Sequence, residues 1–221
     1  MEKLTKVVKV SILAMILLCA FLLISKLPTE DSQLQLSVKT DNIENRTIVP
    51  NEEICYTPTL INKGSDKIVY LAVYIKADIL PEVADDGTVM PEDMHEIFYI
   101  KKDDDKITSH LHHISDNWIE IPIENMPNEL TNKYENMKLH ILGYKSILKK
   151  NKAVIPPFEK IQLINTIEDA LSFPIQYPIV ESYSISIANA KKIVRTSDIT
   201  DDISKETLES IFSKGVIELN K

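Results

Sequence analysis

One stretch, Pro58 to Lys76 (PTLINKGSDKIVYLAVYIK), restricts the architecture more than any other part of the chain. Side chains alternate between the two faces of a strand. In Lys67–Ala77 this puts Val69, Leu71, Val73 and Ile75 on one face and Ile68, Tyr70, Ala72 and Tyr74 on the other. A strand apolar on both faces needs cover on both, which suits a central position in a sandwich. Ahead of it, Ile54–Ile61 reads as a second strand. The polar turn Asn62–Asp66 joins the two, with Gly64 supplying the positive φ that a hairpin needs. Pro58 has no N–H to give to a ladder, so its strand is expected at an edge or with a bulge.

Shorter pieces repeat the theme. Leu34–Lys39 alternates with period two, and Ile97–Lys101 and Trp118–Ile121 are brief apolar runs. Met137–Leu148 is a longer strand candidate broken at Gly143, and Phe158–Ile164 and Val180–Ile193 complete the set. Pro50–Glu53, Asp103–Asp105 and Lys149–Lys152 read as turns, and Pro81–Glu96 and Pro122–Glu135 as polar loops. Ser204–Gly215 is different. Ile203, Leu208, Ile211 and Phe212 fall at helical spacing, Lys214 complements the dipole, and Gly215 is placed as the C′ residue of a short amphipathic helix. About eight or nine short strands without alternating long helices specify an all-β sandwich.

The N-terminus has another character. Lys3, Lys6 and Lys9 precede an uncharged run of 16 residues, Val10–Ser25, closed by Lys26 and Pro28. A basic region followed by an apolar one is the layout of an export signal. The run is short of the ~20 residues of an ordinary spanning helix, but Lys9 and Lys26 can snorkel. The charge bias puts the N-terminus in the cytoplasm and the residues after Pro28 outside. Residues 1–27 are therefore assigned as a signal peptide or membrane anchor, with residues 7–27 meeting the membrane. Residues 28–33 are a linker, 34–199 the sandwich and 200–221 a helix and tail. Four lysines against Glu2 give the first 27 residues a charge of +3, which leaves −11 for the rest of a chain whose net charge is −8. An acidic body argues against a nucleic-acid footprint, which needs a basic face. Cys19 lies in the apolar run, so Cys55 has no partner in the body for a disulfide or a Cys-based zinc site. An exported domain without disulfides, rich in Lys, Ile and Asn, fits a Gram-positive bacterium.

Chemistry is sparse. His110, His112 and His113 are the candidate metal ligands, since His110 and His112 would share a face of a strand; Asp116 is the nearest carboxylate. A solvated polar loop before Trp118 accounts for them as well. His95-Glu96 opens like the zinc-protease helix motif, but Tyr99 stands where the second His belongs. Cys55, in an apolar strand, reads as an inert core thiol. The sequence has no Gly-x-Ser-x-Gly elbow and no Gly-rich phosphate loop, and Asp103–Asp105 lacks the Gly and distal Glu of a calcium loop. These residues name no catalytic position and no cofactor.

Pro58-Thr-Leu-Ile-Asn62-Lys-Gly64-Ser65 through Tyr70-Leu-Ala-Val-Tyr-Ile resembles the early hairpin of the TasA/camelysin family of exported bacterial proteins. Gly143-Tyr144-Lys145 through Leu148, with Ile155-Pro-Pro-Phe158-Glu-Lys-Ile161-Gln-Leu163, is similar to that family's late hairpin, and Ser186–Ile193 to its C-terminal strand. The likeness runs in order over residues 34–215. Lys149-Lys150-Asn151 stands where the family's turn carries Pro-Gly, and the signal ends Leu-Leu-Ile-Ser in place of small residues. The resemblance implies a jelly-roll sandwich outside the cell, in a family whose members form biofilm-matrix fibres by completing one subunit's sheet with the next subunit's N-terminal strand. Some members are classed as metallopeptidases. The expected function is therefore a cell-surface or matrix structural protein whose partner is itself or a related subunit, added at the edge strand that carries Pro58. The alternatives are a metal-dependent peptidase built on the three His, and a module binding ligands through its long loops.

Overall fold

The computed structural model describes residues 34–40, 49, 51–80, 93–101, 114–122, 128–163 and 176–216, with backbone only for 78–80, 93–95, 101 and 216. The expected export segment and linker, His110, His112, His113 and the Asp103–Asp105 turn lie outside the described residues.

The described chain forms β1 (Leu34–Thr40), β2 (Glu53–Asn62), β3 (Lys67–Leu80), β4 (Asp93–Glu96), β5 (Phe98–Lys101), β6 (Trp118–Glu120), β7 (Met137–Tyr144), β8 (Lys160–Leu163) and β9 (Ile179–Ser186). They make two antiparallel sheets. One has the order β1-β2-β8-β5; in the other β3 is central, with β7 and then β6 to one side and β9 and β4 also paired to β3. Two helices follow, α1 (Ile187–Val194) and α2 (Lys205–Ile211), the second running into a π-helical turn at Phe212–Val216. This is an all-β sandwich with a helical cover on one sheet.

β3 is buried on both faces, as its pattern demands. Val69, Leu71, Val73 and Ile75 face the space between the sheets, against Ile54, Leu60, Phe98, Phe158 and Ile161. Ile68, Tyr70, Ala72 and Tyr74 face outward, where Ala190, Leu208, Ile211 and Phe212 of the helical segment cover them. Tyr70 meets Phe212 edge-on at 4.9 Å and donates its hydroxyl to Leu208 O at 3.0 Å. The second cover is thus helical rather than a sheet. Part of it comes from residues expected to be strand. β9 stops at Ser186, whose hydroxyl accepts from Asn189 N–H as an N-cap, and Arg195 at φ 55° ends α1. After Ser186 the apolar residues Ile187, Ala190, Ile193 and Val194 follow a helical spacing, and Ala190 is fully buried.

The two expected hairpins are corners between sheets. β2 and β3 lie in different sheets, and so do β7 and β8. Each connection is an arch, and the two arches run side by side. Lys67 and Leu148 exchange backbone hydrogen bonds (3.1 and 2.9 Å), and Asn151 N–H donates to Asn62 O at 2.7 Å. Gly143 does not break its strand; it pairs with Tyr70 and with Ile119. Residues 93–96, assigned to a loop, form β4, and the chain changes sheets at Ile97 before β5 begins.

Pro58 is not on an edge, because β1 covers its strand on one side and β8 on the other. Alternate residues of an antiparallel strand send their N–H groups to opposite neighbours. Tyr56 N–H reaches Glu159 O and Asn62 N–H reaches Lys152 O. Pro58 shares their phase, so its missing N–H falls between those two bonds, alongside Pro156 and Pro157. The ladder to β1 needs nothing from it.

Gly215 is placed by packing, not by a left-handed backbone. A Cβ there would lie 2.3 Å from Ile193 Cδ1 and 2.6 Å from Ile185 Cδ1. Gly215→Ala is expected to lose about 1–3 kcal/mol in urea unfolding, the cost of overpacking a filled core; unchanged stability would refute the packing account.

Candidate functional site

β7 carries His140 on the same face as Leu142, toward the space between the sheets, directly opposite Val73 of β3. Glu120 of β6 stands opposite Leu142, and Glu96 of β4 opposite Ala77 of β3. Strand alternation aims all three inward at one margin of the core. His140 Nε2 lies 2.8 Å from Glu96 Oε1, and Nδ1 lies 3.0 Å from Glu120 Oε1. β4 and β7 flank β3, so the Glu96 contact reaches across the width of that strand.

Burial grades across the three. The Glu96 side chain is 6% exposed, His140 14% and Glu120 43%. Burial by itself pushes the imidazole down; hydrogen bonds to Glu120 and Glu96, with their charges, outweigh it and raise His140 to about 9. At neutral pH the ring is an imidazolium donating from both nitrogens. Both donors are spent on carboxylates, so no lone pair is left for a metal or for proton abstraction. The arrangement suits a charged clamp that ties β4, β6 and β7 together.

A second cluster lies on the outer face of the same sheet. Glu181 of β9 accepts from Lys133 Nζ, from Tyr134 Oη at 2.8 Å and from Tyr183 Oη at 3.0 Å. Burial disfavours this carboxylate, but the three donors hold it below the usual range. Tyr134 in turn packs edge-on against Tyr74 at 4.8 Å. The cluster fastens the segment after the helical turn Asn128–Thr131 to β9.

Of the residues singled out in the sequence, few enter these clusters. His110, His112 and His113 lie outside the described residues. Asp116 is exposed in the turn before β6. His95 and Glu96 sit on a strand, and Glu96 joins the clamp. Cys55 is half-buried on the outer face of its sheet, its Sγ 3.7 Å from Thr57 Oγ1, and not in the core as expected. Trp118 is a core aromatic, donating Nε1–H to Ile155 O at 2.6 Å. Among the described residues no group of three His, Cys, Asp or Glu side chains is placed to hold a metal. His140 and Glu120 were missed because 20 and 24 residues separate the members of the clamp. The available signal was phase: each occupies an inward position in its strand.

The remaining feature is an edge. β1 pairs with β2 from Leu34↔Asn62 to Thr40↔Tyr56, and among the described residues no strand lies on its other side. Since Tyr56, Pro58 and Asn62 face β8, the bonds to β1 come from Thr57, Thr59 and Ile61. Their partners are Lys39, Ser37 and Gln35, so the N–H and C=O groups of Leu36 and Val38 point away from the sheet. Among protein-family models, curated proteins and solved structures, none matches this chain.

Proposed function

We propose that the chain is an exported structural protein of the cell surface or extracellular matrix. It is anchored by residues 1–27, or released when that segment is cleaved, and it assembles by adding a strand of another copy at β1. The observation that carries this reading is the outward-facing row of backbone groups on β1. An edge of this kind pairs with an added strand, and main-chain bonds supply the affinity. The finer topology belongs to the same proposal. β2–β3 and β7–β8 behave as one long antiparallel pair bent over at the arches, the winding of a jelly roll.

Parity gives a selective test. Val38→Pro removes an outward N–H and leaves the bonds to β2 in place, whereas Ser37→Pro breaks the ladder to β2. Protein recovered from the surface or medium of cells expressing it is expected to sediment as large assemblies. Val38→Pro should sediment as monomer with a circular dichroism spectrum and melting temperature close to the parent's. A parent that stays monomeric at high concentration, or a Val38→Pro chain that assembles normally, removes the proposal.

A further inference from the structure

The end of the sandwich closed by the two arches is rich in exposed lysines. Lys63 stands on the first arch and Lys149, Lys150 and Lys152 on the second, all exposed. The hydrogen bonds between the arches hold these residues together: Asn62 N–H donates to Lys152 O at 3.0 Å and Lys150 N–H to Asp66 Oδ1 at 2.9 Å. Among the described residues three carboxylates are nearby, and they leave the four lysines a small net positive charge. Asp66 is engaged by that Lys150 N–H. Asp201 accepts from Ile147 N–H at 3.2 Å and lies 4.0 Å from Lys149 Nζ. Asp202 follows it, exposed. Four lysines on adjoining turns stand out in a body with the net negative charge derived above.

The chain enters the sandwich at this same end. Leu34, the first residue of β1, pairs with Asn62. Upstream, only residues 28–33 separate Leu34 from Leu27, at the close of the apolar N-terminal segment. Six extended residues reach at most roughly 20 Å. A segment seated in a bilayer would therefore hold the arch lysines near the headgroups. Such tethering raises their effective concentration at a surface whose attraction fades within about 8 Å in physiological salt.

We infer that Lys63, Lys149, Lys150 and Lys152 dock on anionic phospholipid headgroups of the membrane that carries the N-terminal segment. The inference rests on the anchored form of the function proposed above. Contact at the lysine-rich end turns the acidic remainder away from the membrane and fixes the orientation of the sandwich.

The test uses the full chain with vesicles of neutral phosphatidylcholine alone or mixed with phosphatidylglycerol. Lysine reactivity toward a water-soluble acylating reagent is read by mass spectrometry. Reactivity of the four arch lysines is expected to fall about fivefold on the mixed vesicles relative to neutral ones, and to recover in 0.5 M salt. Lys138, exposed near the other end of β7, should not change. Equal arch-lysine reactivity on the two vesicle types overturns the docking. So does protection by soluble polyphosphate with none on vesicles, which would assign the surface to a free polyanion. Flotation separates the two proposals. A chain that floats with neutral vesicles but shows no lipid-dependent protection keeps the anchor and loses the docking. A chain that floats only with anionic vesicles, and is released when all four lysines are changed to Gln, keeps the docking surface and loses the anchor.

Discussion

His140→Leu is expected to destabilise the fold by about 3–5 kcal/mol, the range for removing one member of a buried ion pair. The substitution keeps apolar volume at the core margin but takes the imidazolium from Glu96, a residue only 5% exposed. The same clamp predicts a pH dependence. An unfolded His holds its proton up to about 6.5; in the fold His140 holds it to about 9. Below 6.5 both states are protonated and the contribution is complete. Between 6.5 and 9 only the folded state keeps the proton, so stability falls as pH rises, by about 3 kcal/mol in all, and above 9 the contribution is gone. Urea titrations at pH 6, 7.5 and 9 on parent and variant isolate it, since other titrating groups cancel in the difference. A constant difference across that range would exclude the clamp as the source.

Asn62→Ala is expected to cost about 2–4 kcal/mol, because several buried backbone groups lose partners together. Asn62 is fully buried. Its Oδ1 accepts from Gly64 N–H at 2.9 Å, and its Nδ2 donates to Ser65 O at 2.7 Å and Leu148 O at 3.0 Å. One side chain therefore shapes the first arch and ties it to the second. Hydrogen exchange should show faster opening at both arches, with Leu148 N–H accelerated although it is 86 residues away in sequence. Acceleration confined to residues 62–67 would show that the arches open independently. Asp at this position is not equivalent, since it keeps the acceptor and loses both donors.

The sequence makes β3 legible because its alternation is strict and both faces are apolar. It also marks the helix at Lys205–Ile211 through Leu208, Ile211 and Phe212, all fully buried. The arches look like hairpins in the sequence for a physical reason. Asn-x-Gly-Ser satisfies a tight turn whether the flanking strands pair or part, and which occurs depends on residues 145–154, which run alongside. Pro58 misled similarly: a proline is excluded from a central strand only where its neighbour needs the N–H. Ser186 shows the local limit. The alternation of Tyr183, Ile185 and Ile187 continues one residue past the cap, so the change of period is visible only when Ala190 is counted as core. The clamp was not legible, because a His and two Glu on three strands converge only once the sheet register is set.

While the chain is being made, the described residues that precede the organising strand and pack with it are those of β1 and β2, on its inner face alone. Among the described residues, every strand bonded to β3 and every residue covering its outer face comes later in the sequence, from β4 at Asp93 through β9 to Phe212. Its ladder and outer-face contacts are therefore of long sequence separation, which slows folding and prolongs the exposure of the eight-residue apolar run Ile68–Ile75, which has no proline. Completion of the sheet and of its helical cover around β3 thus waits for residues up to Phe212. Delay of that kind is compatible with export through a channel that passes only unfolded polypeptide. It also makes the time between emergence and closure of the C-terminal helical cover the period in which this protein is most exposed to aggregation.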